Sequence, residues 1–203
     1  MRLTQAKDLN AEHNGEKVEQ ILQGAMREFL ARGYAGTSME KVATAAGVSK
    51  PTVYSYFKDK GVLFQALIEN LAEKKFSSTF GSEPLAGDPK IVFRNIAEVT
   101  FKNFEDEEFS CFMRTIIGES GRFPELAKAC SVNLFKPIND VVVQYIISHP
   151  ELKISDPEAA TSLFIGTLVY YHISQNILHI REIMPIDRSR VVDNLMEMML
   201  GSI

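Results

Sequence analysis

Tryptophan is absent from this 203-residue chain and cysteine occurs only twice, as Cys111 and Cys130. The two thiols show no C-x-x-C spacing, and both sit in apolar helical surroundings, so reduced, buried thiols of a cytoplasmic protein are the expectation. A redox switch between them is the alternative. No His-Glu-x-x-His pair occurs; His172 and His179 share one helix face with Glu182 following, but no further ligand stands at a recognisable spacing. A Gly-rich phosphate loop and a Gly-x-Ser-x-Gly nucleophile turn are missing too. These absences exclude the common catalytic and cofactor-holding arrangements, so an enzyme, a metal site and a bound cofactor are not expected. No run is apolar enough to span a bilayer, since the most apolar segment, Leu163 to Ile173, is short and interrupted by Gly166 and Thr167. The start, MRLTQAKDLNAEHNGEK, lacks the apolar centre of a secretion signal. There is no repeat and no low-complexity tract. Residues 105 to 108, EDEE, read as a solvated loop and helix start, where acids suit the positive end of the helix dipole.

The net charge of −4 argues at first against a polyanionic partner. Its distribution argues the other way. Residues 1 to 60 carry nine Lys/Arg against seven Asp/Glu, whereas the remainder carries thirteen against nineteen. The N-terminal part can therefore meet nucleic acid while the rest stays acidic.

Nearly every segment has helical periodicity and none alternates as a strand does, so the fold class is all-α. Val18, Ile21, Leu22, Ala25 and Phe29 form the stripe of a first helix that ends at Arg32-Gly33. A fourth helix is expected over 60–76, a fifth over 90–105, a sixth over 107–119 and a seventh from Pro124 to about Ser148, where Pro137 should kink or split it. An eighth is expected over 157–179 and a ninth over 187–200. The Gly- and Pro-rich stretch 80–89 reads as a loop.

Gly33 to Lys60, GYAGTSMEKVATAAGVSKPTVYSYFKDK, is the most informative block. Ser38 is placed to cap a short second helix whose Met39, Val42, Ala43 and Ala46 share one face. Gly47 stands at the left-handed position that ends it. Ser49 and Pro51 then start a third helix, which turns Val53 and Phe57 inward and exposes Lys50, Thr52, Tyr54, Ser55 and Tyr56. One cation, hydroxyls and phenols, with no acid in the helix, suit a phosphate-lined groove. Out of context, the same tyrosines would serve as packing aromatics and Lys50 as an ordinary surface lysine.

The run TSMEKVATAAGVSKPTVYSYFKDKGVLFQAL resembles the DNA-binding signature of the tetracycline-repressor (TetR) family of bacterial transcription regulators. Gly33, Thr37, Ala43, Gly47, Val48, Tyr54, Phe57, Lys60, Leu63 and Phe64 are all in register, and the match runs from about Val18 to Leu67. The resemblance implies about nine helices. It divides the chain into a flexible arm (1–15), a helix-turn-helix domain (16–60) and a helical ligand-binding and dimerisation domain (61–203). It implies that Lys50, Pro51 and Thr52 approach base edges in the major groove. Tyr54, Tyr56 and Lys60 would hold phosphates, with Ser38 as a further phosphate contact and Ser55 less constrained. Many relatives carry glycine where Pro51 stands and a basic or polar residue where Glu40 stands. A carboxylate there would repel phosphate unless it points away or pairs with Lys41 or Lys50.

The segment FMRTIIGESGRFPELAKA resembles an AefR-like C-terminal domain. In the family this part encloses a ligand pocket and pairs two copies through its last two long helices. Candidate pocket residues are Phe93, Asn95, Phe112, Thr115, Glu119, Asn139, Tyr171, His172 and Gln175, apolar bulk with a few polar groups. The phenylalanines read equally as plain core. The dimer seam would draw on Phe164, Leu168, Leu178, Leu195, Met198 and Met199, with Tyr171 beside them. The resulting expectation is a cytoplasmic homodimer that represses transcription from a palindromic double-stranded DNA operator until a small, largely apolar effector releases it. The alternative is a helical protein-interaction module without sequence-specific DNA binding.

Overall fold

Serine and aspartate side chains set where most of the helices begin. The structure is a computed structural model; it describes residues 2–81 and 85–201, and their side chains from Asn14 onward. Ser38 accepts from the Lys41 N–H, Ser49 from Thr52, Asp88 from Lys90 and Ile91, Asp156 from Ala159, and Asp187 from Ser189. Each satisfies donors that a first helical turn leaves unpaired. Pro51, Pro89 and Pro157 follow their caps directly or within one residue, where a missing N–H removes no bond.

The α-helices are α1 Arg2–Gly36, α2 Met39–Ala46, α3 Lys50–Tyr56, α4 Lys60–Phe80, α5 Pro89–Glu105, α6 Glu107–Glu119, α7 Pro124–Cys130, α8 Lys136–Ile147, α9 Pro157–His172 and α10 Arg188–Leu200. A π-helical turn, Ser131–Phe135, joins α7 to α8, so that these two form one continuous stretch. Counted that way there are nine helices and no strand among the described residues, the expected all-α class. The π turn is the form the predicted Pro137 interruption takes. Pro137 lacks an N–H and its ring crowds the carbonyl four residues back, and the widened turn just before it absorbs both. A second π turn, Ile173–Ile177, prolongs α9 until His179 turns left-handed at φ 54°.

Helical backbone begins at Arg2, inside the segment expected as an arm, and α1 breaks at Gly33 (φ 67°, ψ 174°). Ser82–Pro84 of the expected 80–89 loop lie outside the described residues. The acidic run at 105–108 is more than solvated: Glu105 accepts from Arg188 at 2.8 Å, and Asp106 pairs with Lys75 at 2.7 Å while capping the Phe109 N–H.

By internal packing the chain divides into two units, Met1–Ala72 with Cys111–Asn133, and Glu73–Ser110 with Leu134–Ile203. In the first, Ile21, Leu22, Ala25 and Phe29 of α1 are buried together with Val42 of α2, Val53 of α3 and Leu63 and Phe64 of α4. Phe64 stands edge-on to Phe29 at 4.8 Å and stacks on Phe112 at 5.5 Å. In the second, α5, α8, α9 and α10 surround Phe93, Ile96, Val142, Tyr145, Phe164, Leu168, Val192 and Leu195. Cys130 is fully buried, Cys111 half-buried, and both are free thiols. Burial pushes the Cys130 thiol up to about 11, which leaves little thiolate at neutral pH.

Candidate nucleic-acid interface

Two short helices and one turn hold the candidate site. Helix α1 carries α2 at very close range: a Cβ on Gly24 would lie 2.7 Å from the Ala46 backbone nitrogen, so only glycine fits there. Gln20 and Arg27 of α1 donate to the carbonyls of Ala46 and Ala45, which the end of α2 leaves unpaired. Gly47 takes the left-handed conformation (φ 64°, ψ 33°) and its N–H returns to Ala43 and Thr44. Helix α3 leaves this turn with Val53 buried and Phe57, at its C-cap, 6% exposed. The opposite face, with Lys50, Pro51, Tyr54 and Ser55, is exposed, and Thr52 and Tyr56 are half-buried at its edges.

The predicted contact residues are not equally placed. The Lys50 ammonium pairs with the Glu40 carboxylate at 2.5 Å and lies 5.7 Å from the Tyr54 ring centroid. Of the two partners open to Glu40 in sequence, the structure selects Lys50; Lys41 donates instead to the Gly36 carbonyl at 2.8 Å. The hydrogen bond from Lys50 holds the Glu40 carboxyl down at about 2, with backbone and Ser38 bonds adding to it, and the same bond raises Lys50. Thr52 shares a 2.7 Å hydroxyl–hydroxyl bond with Ser49, and Ser55 donates back to the Thr52 carbonyl at 2.7 Å. Tyr56 donates its phenol proton to Asn14 on α1 at 2.8 Å. Ser38 is half-buried and engaged as the α2 cap.

Lys60 is turned inward. Its ammonium donates to the carbonyls of Tyr34 at 2.6 Å and Thr37 at 3.0 Å and lies over the Tyr34 ring at 4.3 Å. Burial lowers its pKa despite the nearby Glu119 carboxylate. Lys60 therefore ties the start of α4 to the α1–α2 turn. Asn14 and Lys60 acquire these roles through tertiary neighbours, and no local spacing in the sequence announces them.

The candidate pocket residues fall into both units. Phe112, Thr115 and Glu119 belong to the first: Phe112 stacks on Phe64, Thr115 donates to the Cys111 carbonyl, and Glu119 lies where a Gly33 side chain would stand. In the second, Phe93 is fully buried between Tyr145 and Phe164 as core, Asn95 is exposed and Asn139 is half-buried. Tyr171, His172 and Gln175 gather at the end of α9. His172 is buried, stacked on Phe104 at 4.5 Å, with Ser110 Oγ 3.2 Å and Asn176 Nδ2 3.1 Å from its two ring nitrogens. Gln175 donates to the Met184 carbonyl at 3.4 Å, and its buried Oε1 has no hydrogen-bond partner among the described residues. A separate cleft of about 590 Å³ opens between the start of α5 and α10, lined by Lys90, Arg94, Asp193 and Glu197; none of the candidates lines it.

Of the expected seam residues, Phe164, Leu168 and Leu195 are buried inside the second unit and are closed to any partner surface. Helix α9 is apolar on both sides, and its core-facing stripe took Phe164 and Leu168, while Leu195 lies on the buried side of α10. Leu178 and Met198 are exposed, at 62% and 84%, and Met199 packs partly against the core. The open face of α9 presents Leu163 and Tyr170, 71% and 68% exposed. No helix among the described residues is long and apolar enough to cross a membrane.

Comparison with known proteins adds to this geometry. Residues 21–67 match the family described as bacterial regulatory proteins, tetR family, and residues 92–202 match the AefR-like transcriptional repressor, C-terminal domain. The transcriptional regulator AcrR of Shigella flexneri is 32% identical over 106 residues, 50% of this chain and 48% of AcrR. The chain spans less than half the length of the curated relatives it matches. Among solved structures, the flavonoid-responsive regulator FrrA superposes with a TM-score of 0.69 at 25% identity, over 89% of this chain and 92% of that one. The fatty acid degradation regulator FadR of Bacillus halodurans shares the fold with a TM-score of 0.70 at 19% identity, over 92% of this chain and 96% of that one.

Proposed function

The chain belongs to the tetR family of bacterial regulatory proteins, a family of regulators and not of enzymes, and we propose that it is a cytoplasmic, ligand-responsive repressor of transcription. It binds a palindromic operator as a homodimer and is released by a small, largely apolar molecule. The observation that carries this reading is the outward face of α3. Caps, a left-handed glycine turn and the buried Val53 fix a helix whose exposed residues are Lys50, Pro51, Tyr54 and Ser55, with Thr52 half-buried at their edge. In a helix-turn-helix protein the N-terminal residues of the second helix meet base edges. Lys50, Pro51 and Thr52 occupy that end; Tyr54, Tyr56 and Ser38 stand where phosphates would run. Lys60 supports the site from inside.

Repression is favoured because the C-terminal match is to a repressor domain. Two copies pair through the apolar outer face of α9 and the exposed Met198 of α10, and each α3 helix of the pair reads one of two half-sites about 34 Å apart. The effector site is proposed around Tyr171, His172 and Gln175, where a buried amide oxygen has no hydrogen-bond partner among the described residues. Flat phenols of the flavonoid type are a sensible start for an effector screen, given the FrrA likeness.

Selection from a randomised duplex pool with purified protein tests the reading. Enrichment of a palindrome, recovered as a complex of two chains per duplex by sedimentation, is expected. No enriched sequence at low salt, with or without a small-molecule library, would favour a protein-interaction module instead.

A further inference from the structure

Helix α3 contains a single cation, Lys50, and a carboxylate on another helix engages it: Glu40 of α2 meets the ammonium at 2.5 Å, with both side chains about half exposed at 52% and 54%. A surface pair of this kind adds little to stability. Its consequence lies in where it places charge. Bound to Glu40 and lying toward the Tyr54 ring, the ammonium is held at the exposed start of α3 and its charge is cancelled locally. The other nearby cation, Lys41, is drawn off to the Gly36 carbonyl and does not compete for Glu40.

Side by side, the pair presents a hydrogen-bond donor and an acceptor. The major-groove edge of a G·C pair offers their complement: guanine N7 and O6 accept, and the neighbouring cytosine N4 amino group donates. The O6 and N4 atoms are themselves hydrogen-bonded, about 2.9 Å apart, close to the 2.5 Å separation of Lys50 Nζ and Glu40 Oε1. An A·T pair also sets an acceptor beside a donor, but its thymine O4 is flanked by a methyl group, whereas guanine offers two adjacent acceptors to one ammonium.

We propose that Glu40 and Lys50 act together as one reader of a G·C base pair in each half-site, Lys50 donating to guanine and Glu40 accepting from cytosine. This rests on the DNA-binding reading above. Glu40 is then a specificity-determining residue, and its carboxylate also keeps Lys50 from swinging to a neighbouring phosphate. Replacing Glu40 should loosen sequence choice at that position and raise general affinity for DNA.

The test is duplex selection, followed by binding titrations on single-base variants of the selected site, with wild type, E40A, E40Q and K50A; thermal unfolding checks that each variant folds. Expected is a G·C column in each half-site of the wild-type motif, flattened by E40A and by K50A alike, with discrimination there falling roughly fivefold or more. E40A should also steepen the log–log salt dependence by about 0.9 for each phosphate Lys50 gains. E40Q, which keeps an acceptor oxygen but not the charge, should retain part of the column. The inference is overturned if E40A leaves that column intact, flattens a different one from K50A, or weakens all sequences equally. Failure of the wild-type protein to enrich any site would sink the DNA-binding reading itself, a distinct result.

Discussion

Helix α3 and helix α9 each bury one stripe and expose another, yet what they expose differs in kind. The open face of α3 carries Lys50, Tyr54 and Ser55, groups that hydrogen-bond or carry charge, beside Pro51. The open face of α9 carries Leu163 and Tyr170, and large apolar side chains recur beyond it at Leu178, Ile183 and Met184. A polar face on a rigidly capped helix is suited to a hydrated, charged partner. A face of leucine and aromatic carbon is suited to another protein surface, and in the proposed dimer it meets its own copy. On the proposed reading, two surfaces of one chain divide the work, one facing nucleic acid and one facing a second protomer.

Changes that strike each unit separately would break or sharpen this contrast. The largest effect is expected from Phe64→Ala in the first unit, where Phe29, Tyr34 and Phe112 all contact the ring. It should cost about 3–5 kcal/mol of stability, read by urea unfolding, and DNA binding should vanish with the fold. Leu163→Arg on α9 should leave that stability unchanged but weaken self-association by about 3 kcal/mol or more, because pairing would bury an unmatched charge. Sedimentation velocity would show a monomer; an unchanged dimer would place the seam elsewhere. Gly24→Ala, which forces a methyl against the Ala46 backbone, should cost about 1–3 kcal/mol and loosen α2 from α1.

The smallest effect is electrostatic. Asp106 is held below the ordinary carboxylate range, first by the hydrogen bond from Lys75 and then by the Phe109 N–H. Its folded pKa is depressed, so its contribution is present above the unfolded value, about 3.9, and is lost as pH falls through the folded one. Asp106→Asn should therefore lower stability by less than about 1 kcal/mol at pH 7. The difference from wild type should disappear in acid. A difference that persists there would assign the loss to packing.

The polar face was easier to read in advance than the apolar one, for a physical reason. Ser38, Gly47 and Ser49 act on backbone groups within a few residues of themselves, so local spacing suffices to place α2 and α3. Val53 and Phe57 turn inward as their period requires. Helix α9 gives no such guidance, since apolar residues line both its sides. Phe164 and Leu168 looked as able to face a partner as Leu163 and Tyr170, and only packing against Phe93 and its neighbours decides between them. Pro137 marked where a helix would be disturbed, but the disturbance takes the form of a widened turn and not a break. Lys60 was legible as a cation of the motif, not as a clamp, because the carbonyls it meets belong to a turn formed by other segments.

The central claim is that the exposed face of α3 reads DNA. Its most direct test compares wild type with a Lys50→Ala, Tyr54→Ala double variant by fluorescence anisotropy on the selected duplex, across a salt series. The account predicts wild-type binding that weakens steeply with salt. It also predicts a loss of at least about 1–3 kcal/mol in the variant, at unchanged thermal stability. Equal affinity of the two proteins at every salt concentration would contradict it.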